Sequence, residues 1–75
     1  MTRYLNLAGN SPIVAFHIGA GHIDIVFRDG GTYRYTNASA GAQRIVAMKR
    51  LAVAGRGLAT YITREAHDRY AERLA

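Results

Sequence analysis

The stretch Phe27-Arg28-Asp29-Gly30-Gly31-Thr32-Tyr33-Arg34-Tyr35 decides the fold, because a strand pattern lies on each side of a turn sequence. The Asp-Gly-Gly segment supplies residues that tolerate the positive φ angles of tight turns. After it, tyrosines alternate with polar residues, as expected for a half-buried strand. We therefore predict a β-hairpin here, and the other segments can be placed relative to it.

The loop length of this hairpin determines which face carries the tyrosines. Directly opposite residues of an antiparallel pair share a face. A two-residue loop would put the tyrosines on the polar face. A three-residue loop closed by a left-handed glycine pairs Phe27 with Tyr33 and Ile25 with Tyr35, which makes one face apolar throughout. We prefer this register, so Tyr33 and Tyr35 are expected to pack in the core. Their alternative use is as a platform on which nucleic-acid bases stack.

Two further strands are predicted before the turn. Residues 1–12 are expected to form an N-terminal arm in which Tyr4, Leu5 and Leu7 pack on the body and which ends in a Gly-Asn-Ser-Pro turn. The first strand is expected over Ile13 to Ile18, with Val14, Phe16 and Ile18 on the core face and Ile13, Ala15 and His17 on the other. A short loop of three residues, Gly19-Ala20-Gly21, leads to a strand over His22 to Arg28, whose isoleucines alternate with polar residues.

Two helices are predicted after the hairpin. The first is expected from about Ala40 to Ala54, with Asn37 or Ser39 as its N-cap and Gly55 as its left-handed C-terminal residue. The second is expected from Thr63 to about Leu74. The order β-β-β-α-α predicts an α+β domain over residues 13–75, in which a three-stranded antiparallel meander is followed by two helices packed on one face.

Length and composition limit the class of protein. A chain of 75 residues can form one domain with one core. It contains no cysteine, so disulfides and thiolate metal sites are excluded. No apolar run approaches the roughly 20 residues that a transmembrane helix needs, and Met1 is not followed by the apolar segment of a signal peptide. We therefore expect a soluble cytoplasmic protein that does not interact with membranes.

The charge points to an anionic partner. The formal net charge is +5, and Lys49 is the only lysine among ten basic residues. Arginine has a planar fork that fits phosphate and carboxylate groups and can stack on bases. This composition fits binding to nucleic acid or to an acidic protein surface. The alternative is that the arginine content reflects a GC-rich genome and has no functional meaning.

Several short motifs resemble the KTSC family, which is named for its occurrence at the C-terminus of some lysyl-tRNA synthetases. The strand Ile23-Asp24-Ile25-Val26-Phe27 is followed by Gly30-Gly31 and Tyr33-Arg34-Tyr35, and later by Gly55-Arg56-Gly57-Leu58-Ala59-Thr60-Tyr61-Ile62. The chain is similar to short stand-alone bacterial and phage-associated members, although it lacks the usual proline after the Tyr-x-Tyr strand. The resemblance implies no established activity, and RNA binding has been suggested for the family. The motif positions, expected to be structural, are Phe27, Gly30, Tyr33, Tyr35, Gly57 and Ile62.

Four arginines are the candidate contact residues. A sheet covered by helices on one side leaves its other face open, and Arg28 and Arg34 are predicted to lie on that face. Arg50 and Arg56 are the next candidates. The alternative for the sheet residues is that they are ordinary solvated side chains, with Asp24 pairing with Arg34 and neutralising part of the patch. The glycines around Arg56 resemble a fragment of a phosphate-binding loop but are more typical of a turn between helices.

No arrangement of residues predicts catalysis or a cofactor. His17, His22 and His67 are the potential metal ligands, and nothing in their spacing groups all three. The five acidic residues include no convincing acid/base pair, and no hydroxyl residue has a base at a motif spacing. We expect a protein that is not an enzyme and has no catalytic residues, metal or cofactor.

Two functions follow as hypotheses. The first is a non-enzymatic module that binds RNA or single-stranded nucleic acid through its arginine surface. The alternative is a protein-interaction module that acts as a small phage- or plasmid-type inhibitor or adaptor of a bacterial host complex. A homodimer formed through the exposed sheet is a third, structural hypothesis.

Overall fold

A computed structural model describes residues 1–75 and contains the predicted hairpin. The first three strands are β1 (Thr2–Arg3), β2 (Ile13–Gly19) and β3 (His22–Phe27), and β4 (Thr32–Thr36) follows the turn. The turn is the predicted three-residue loop closed by a left-handed glycine, since Gly30 has a φ of 99° and its N–H donates to the Phe27 carbonyl at 2.9 Å.

The predicted pairs across this turn are wrong by two positions. Ile25 lies opposite Tyr33, and Ile23 lies opposite Tyr35. The loop begins one residue earlier than predicted because the Asp29 carboxylate accepts a hydrogen bond from the Gly31 N–H at 3.1 Å, which centres the turn on Asp29. An even shift preserves the face of every residue, so Tyr35 is buried as predicted.

Strand β2 contains a β-bulge that the sequence did not predict. The register shifts between Ile13 and Ala15, so Val14 is the extra residue. Ile13 is therefore 1% exposed and faces the core, whereas Val14 is 39% exposed. The prediction that Val14 faces the core is wrong, because simple alternation does not hold across a bulge. The loop to β3 has two residues instead of three, since Gly19 lies opposite His22.

The sheet has five strands, so the prediction of three strands is incomplete. The predicted N-terminal arm contributes β1, which pairs with β2, and the C-terminus contributes β5 (Glu72–Arg73), which pairs with β4. All neighbours are antiparallel and follow chain order from β1 to β5. Both added strands are two residues long and lie at the edges.

The prediction of a final helix from Thr63 to Leu74 is wrong beyond Ala66. Helix α3 (Leu58–Tyr61) continues as one π-helical turn (Ile62–Ala66), and the chain then leaves the helix. A helix of this length is marginal without tertiary support. The free backbone edge of β4 pairs instead with the C-terminal segment, since the Leu74 N–H donates to the Thr32 carbonyl at 2.7 Å. Edge pairing therefore replaces the last helical turns.

The first predicted helix is present in two pieces. Helix α1 (Asn37–Ala40) and helix α2 (Ala42–Ala54) are separated by Gly41. The N-cap is Thr36 and not Asn37 or Ser39, because Thr36 and Ser39 form a reciprocal capping box with two hydrogen bonds of 3.0 Å. Gly55 ends α2 in the left-handed region, as predicted, with a φ of 79°.

The helices and one face of the sheet enclose a single core, so the predicted α+β class is confirmed. The sheet contributes Ile23, Ile25 and Tyr35, and burial raises the pKa of Tyr35 to about 12. The helices contribute Met48 and Leu58, which are also fully buried. None of the helices combines the length and the apolar character needed to cross a membrane.

Candidate functional site

The open face of the sheet carries an ion pair at its centre. The strand registers place His17, Asp24, Arg34 and Glu72 in one row across β2 to β5. Arg34 donates to both carboxylate oxygens of Asp24, from Nε at 2.8 Å and from Nη2 at 3.1 Å. The Glu72 carboxylate lies 4.0 Å from Arg34 Nη1. The guanidinium of Arg34 is therefore already matched by acidic groups.

The geometry of this pair fixes both charges. Asp24 is 3% exposed, although it lies on the open face. The hydrogen bond from Arg34 lowers the pKa of Asp24 and outweighs burial, which acts in the opposite direction. The same hydrogen bond raises the pKa of Arg34. Bidentate pairs of this kind are strong and directional. The prediction that Arg34 contacts a partner stays untested, but Arg34 is the basic residue that is least available for an anion.

Two histidines cover the ion pair. His22 Nε2 lies 3.8 Å from Asp24 Oδ2 and is buried without a hydrogen-bond partner. The imidazole of His22 packs over Gly19, where a methyl group would come within 2.1 Å of the ring. The His17 ring lies 6.2 Å away, centroid to centroid. No three His, Cys, Asp or Glu side chains are grouped in a way that could hold a metal ion.

A groove lies between the N-terminal arm and the helical segment that follows Gly57. Its volume is about 370 Å³, and no acidic side chain lines it. The arm contributes Ala8, Asn10, Ser11 and Pro12 together with Tyr4, and the helical side contributes Gly57, Ala59, Thr60, Thr63 and Arg64. The groove is therefore lined by hydroxyl, amide and guanidinium groups without a competing carboxylate.

The arm is held in place by contacts that also shape this groove. The Leu58 N–H donates to the buried Tyr4 hydroxyl at 3.3 Å. The Leu7 N–H donates to the Gly55 carbonyl at 2.8 Å, and Leu5 packs against Gly55. These contacts join the two walls of the groove, so its shape depends on the docked arm.

The candidate arginines are distributed unequally around the groove. Arg28 Nη2 donates to the Ser11 carbonyl, which places Arg28 at the rim. Arg56 is exposed and directly precedes Gly57. Arg50 lies elsewhere, in a shallow depression on the outer side of α2 that shares no residue with the groove. The structure thus brings Arg28 and Arg56 near the groove and leaves Arg34 and Arg50 on other surfaces.

Sequence reasoning missed the groove residues. Arg64 was expected within a long final helix, and Asn10 in the turn before the first strand. Tyr4 was expected to pack on the body of the domain and is buried there, whereas Leu5 and Leu7 are exposed.

The motif positions are mainly structural. Tyr35 and Ile62 are buried, and Tyr33 packs edge-on against Phe27 at 5.7 Å between ring centroids. Gly30 closes the hairpin turn, and Gly57 has a φ of 80° where the chain enters α3. The segment around Arg56 is a turn between two helices, as its glycines indicate.

The comparisons with known proteins identify no relative. No family model, no curated protein and no solved structure matches the chain. The resemblance to the KTSC family therefore stays a prediction, and the functional argument rests on the geometry of this chain.

Proposed function

We propose that this protein is a non-enzymatic module that binds RNA or another single-stranded nucleic acid through the arginines around the groove. One observation carries the proposal: of the ten basic residues, only Arg34 is paired with an acidic side chain. Four of the other cations, Arg28, Arg44, Lys49 and Arg73, donate to backbone carbonyls of the protein, and the remaining five make no side-chain hydrogen bond within it. Arg56 and Arg64, on the helical side, make no hydrogen bond within the protein through their side chains.

The groove region suits a phosphate backbone better than the open sheet face does. Guanidinium groups bind phosphate oxygens in a fork geometry, and hydroxyl and amide groups add neutral hydrogen bonds. A carboxylate beside the strand would repel its phosphates, and no carboxylate lines the groove. On the sheet face, Asp24 and Glu72 would oppose a phosphate near Arg34.

The size of the protein limits the length of strand that it can contact. Its longest dimension is 31 Å. Small single-strand binding domains contact roughly 4–16 nucleotides, and a protein of this size belongs at the lower end. The proposal agrees with the RNA binding that has been suggested for the KTSC family, and with the expected cytoplasmic location, where single-stranded RNA is available.

Fluorescence anisotropy with a labelled single-stranded RNA of about ten nucleotides tests the proposal. Affinity should fall as salt is added, with a slope in log K against log salt of about −0.7 for each neutralised phosphate. Arg28→Gln should weaken binding and reduce the slope. No binding at low ionic strength would contradict the proposal, as would binding that does not depend on salt.

A protein-interaction module is the second candidate, and exposed apolar side chains favour it. Val46 and Val53 are 54% and 66% exposed on α2. A bacterial or phage protein complex could bind this side of the helix without nucleic acid. A pull-down after nuclease treatment separates the candidates. A stoichiometric partner that is lost with Val53→Asp supports this function, and loss of all partners after nuclease supports the first.

Homodimerisation through the open sheet face is a further hypothesis. The buried Asp24–Arg34 pair gives this face a polar centre, and the edge strands are only two residues long. Light scattering tests it directly: a mass of 8.2 kDa indicates a monomer, and twice that mass indicates a dimer.

A further inference from the structure

The groove is large enough to enclose part of a ligand, in addition to offering a surface on which a nucleic-acid strand can lie. Its volume of about 370 Å³ lies within the roughly 300–1,000 Å³ of small-molecule sites. An inorganic phosphate would fill only part of this volume. Ala8, Pro12 and Ala59 give the lining an apolar portion beside the polar groups. The groove therefore suits an anion attached to a larger organic group.

Tyr4 lines the groove, and its hydroxyl has an unused proton. Tyr4 is 3% exposed, and its oxygen accepts a hydrogen bond from the Leu58 N–H at 3.3 Å. No group of the protein accepts the proton of this hydroxyl. A tyrosine hydroxyl can donate one hydrogen bond while it accepts another. A ligand oxygen in the groove would provide the missing acceptor.

Further donors on both walls are also free. The side chains of Asn10, Thr60 and Arg64 line the groove and make no hydrogen bond within the protein. Two other hydroxyls are partly used, since Ser11 accepts from the Ile13 N–H and Thr63 donates to the Ala59 carbonyl. The groove therefore has free donors and one positive charge, and this arrangement is complementary to a group that only accepts hydrogen bonds.

We propose that the groove binds the terminal phosphate of a nucleotide, with Arg64, Thr60 and the Tyr4 hydroxyl as donors to its oxygens. A phosphate monoester has three accepting oxygens and a charge of about −1.5 to −2, whereas a phosphodiester within a strand has one charge and fewer free oxygens. Several donors in one place therefore favour the monoester. The nucleoside lies toward the apolar portion. This inference rests on the proposed function, because it names the part of the nucleic acid that the groove holds.

Isothermal titration with adenosine monophosphate on the full chain tests the site. Arg64→Gln should weaken binding by about tenfold, because a charge-assisted hydrogen bond is lost. Thr60→Val should weaken it severalfold, and Tyr4→Phe should weaken it while the ring remains packed. Arg50→Gln is the charge-matched control and should bind as tightly as the unmodified protein. Thermal unfolding confirms that each variant is folded, and among folded variants, unchanged affinity in both Arg64→Gln and Thr60→Val would overturn the site.

Further ligands show whether the phosphate or the nucleoside supplies the affinity. They also show whether the groove binds a free nucleotide or the phosphate at the end of a strand. Adenosine or inorganic phosphate binding as tightly as the monophosphate would overturn the inference. An RNA strand with a terminal phosphate should bind more tightly than the same strand without it, and Arg64→Gln should remove the difference. Equal binding of the two strands would overturn the strand-end assignment and leave the proposed function standing. Binding of the monophosphate without binding of either strand would support the site for a free nucleotide and overturn the proposed function.

Discussion

The open sheet face and the groove both carry arginine, but they differ in what surrounds it. On the sheet face, Arg34 makes a bidentate contact with a buried carboxylate and has Glu72 nearby. In the groove, Arg64 is exposed and no carboxylate lines the cavity, and Glu65 lines only the neighbouring depression that Arg64 also borders. The net charge of +5 is therefore not spread evenly over the molecule. An arginine's value as a contact residue depends on its acidic neighbours more than on its exposure.

The physical reason for the difference is the burial of Asp24. A carboxylate that is removed from water needs a partner, and the partner's charge is then no longer available to a ligand. Arg34 serves the stability of the fold, whereas Arg64 has no such role in the folded chain. The two regions should therefore respond differently to the same substitution.

The largest expected effect is on stability when the arginine of the sheet face is replaced. Arg34→Gln leaves Asp24 buried without its charged partner and should cause the largest loss in the free energy of unfolding of the variants compared. The 34% exposure of the Arg34 side chain keeps this loss below that of breaking a fully buried pair. Urea denaturation measures the change. Arg64→Gln is the control and should stay within about 0.5 kcal/mol; similar losses in the two variants would break the comparison.

A smaller loss of stability is expected when the glycines that border the N-terminal arm are replaced by alanine. Gly55 and Gly57 have nearly equal φ angles, 79° and 80°, but a methyl group at Gly55 would lie 2.7 Å from Leu5 Cβ, and one at Gly57 would meet nothing closer than 3.7 Å. Gly57→Ala should therefore cost about 1 kcal/mol for backbone strain alone. Gly55→Ala should cost about 2 kcal/mol, because it also displaces the arm.

The matched pair of glycine variants tests whether the N-terminal arm packs on Gly55. Thermal or urea unfolding measures the loss of stability in each variant. Equal losses would indicate that Leu5 does not pack on Gly55, and the wall of the groove would then need revision.

A still smaller effect should appear at acid pH. The pKa of Asp24 is below its ordinary value of 3.8, so the unfolded chain takes up this proton first as the pH falls. The stabilisation is complete above about pH 4 and is lost as the pH falls through the lower pKa of the folded state. Asp24→Asn should be less stable at neutral pH, and the difference should shrink in acid. An undiminished difference in urea denaturation at low pH would contradict the role of this pair.

The sequence predicted the faces of the central hairpin better than its register. Residue parity placed Tyr35 in the core, and an even shift of the pairing does not change parity. The position of the turn depends on one hydrogen bond that the Asp29 carboxylate accepts from the Gly31 N–H, and the sequence pattern does not reveal it. The bulge at Val14 is also not predictable from the pattern. One extra residue in the strand turns a side chain to the other face, while the residue types in the strand stay the same.

The edges of the sheet could not be predicted because they depend on contacts between distant segments. Residues 72–73 have no strand pattern of their own and pair with β4 because its edge is free. Residues 2–3 pair with β2 in the same way. Two-residue strands are set by tertiary structure and not by local preference.

The groove was missed for the same reason. Its walls come from residues near positions 4–12 and 57–64, which are brought together by the docked arm. The sequence did show that Arg34 and Asp24 could pair, and it left that possibility open beside the functional one. The sequence could not show that Asp24 would be buried. This burial favours the ion pair with Asp24 over a contact role for Arg34.

The most direct measurement of the central claim compares two charge-matched double variants in RNA binding. Arg56→Gln with Arg64→Gln removes two cations near the groove, and Arg50→Gln with Arg69→Gln removes two cations that neither line the groove nor directly adjoin a residue that does. All four residues are exposed and make no side-chain hydrogen bond within the protein, so both variants should fold. We predict that the groove pair reduces the salt slope of RNA binding by about 1.4, and that the other pair leaves it nearly unchanged. Equal reductions would show that net charge alone governs binding and would contradict the account.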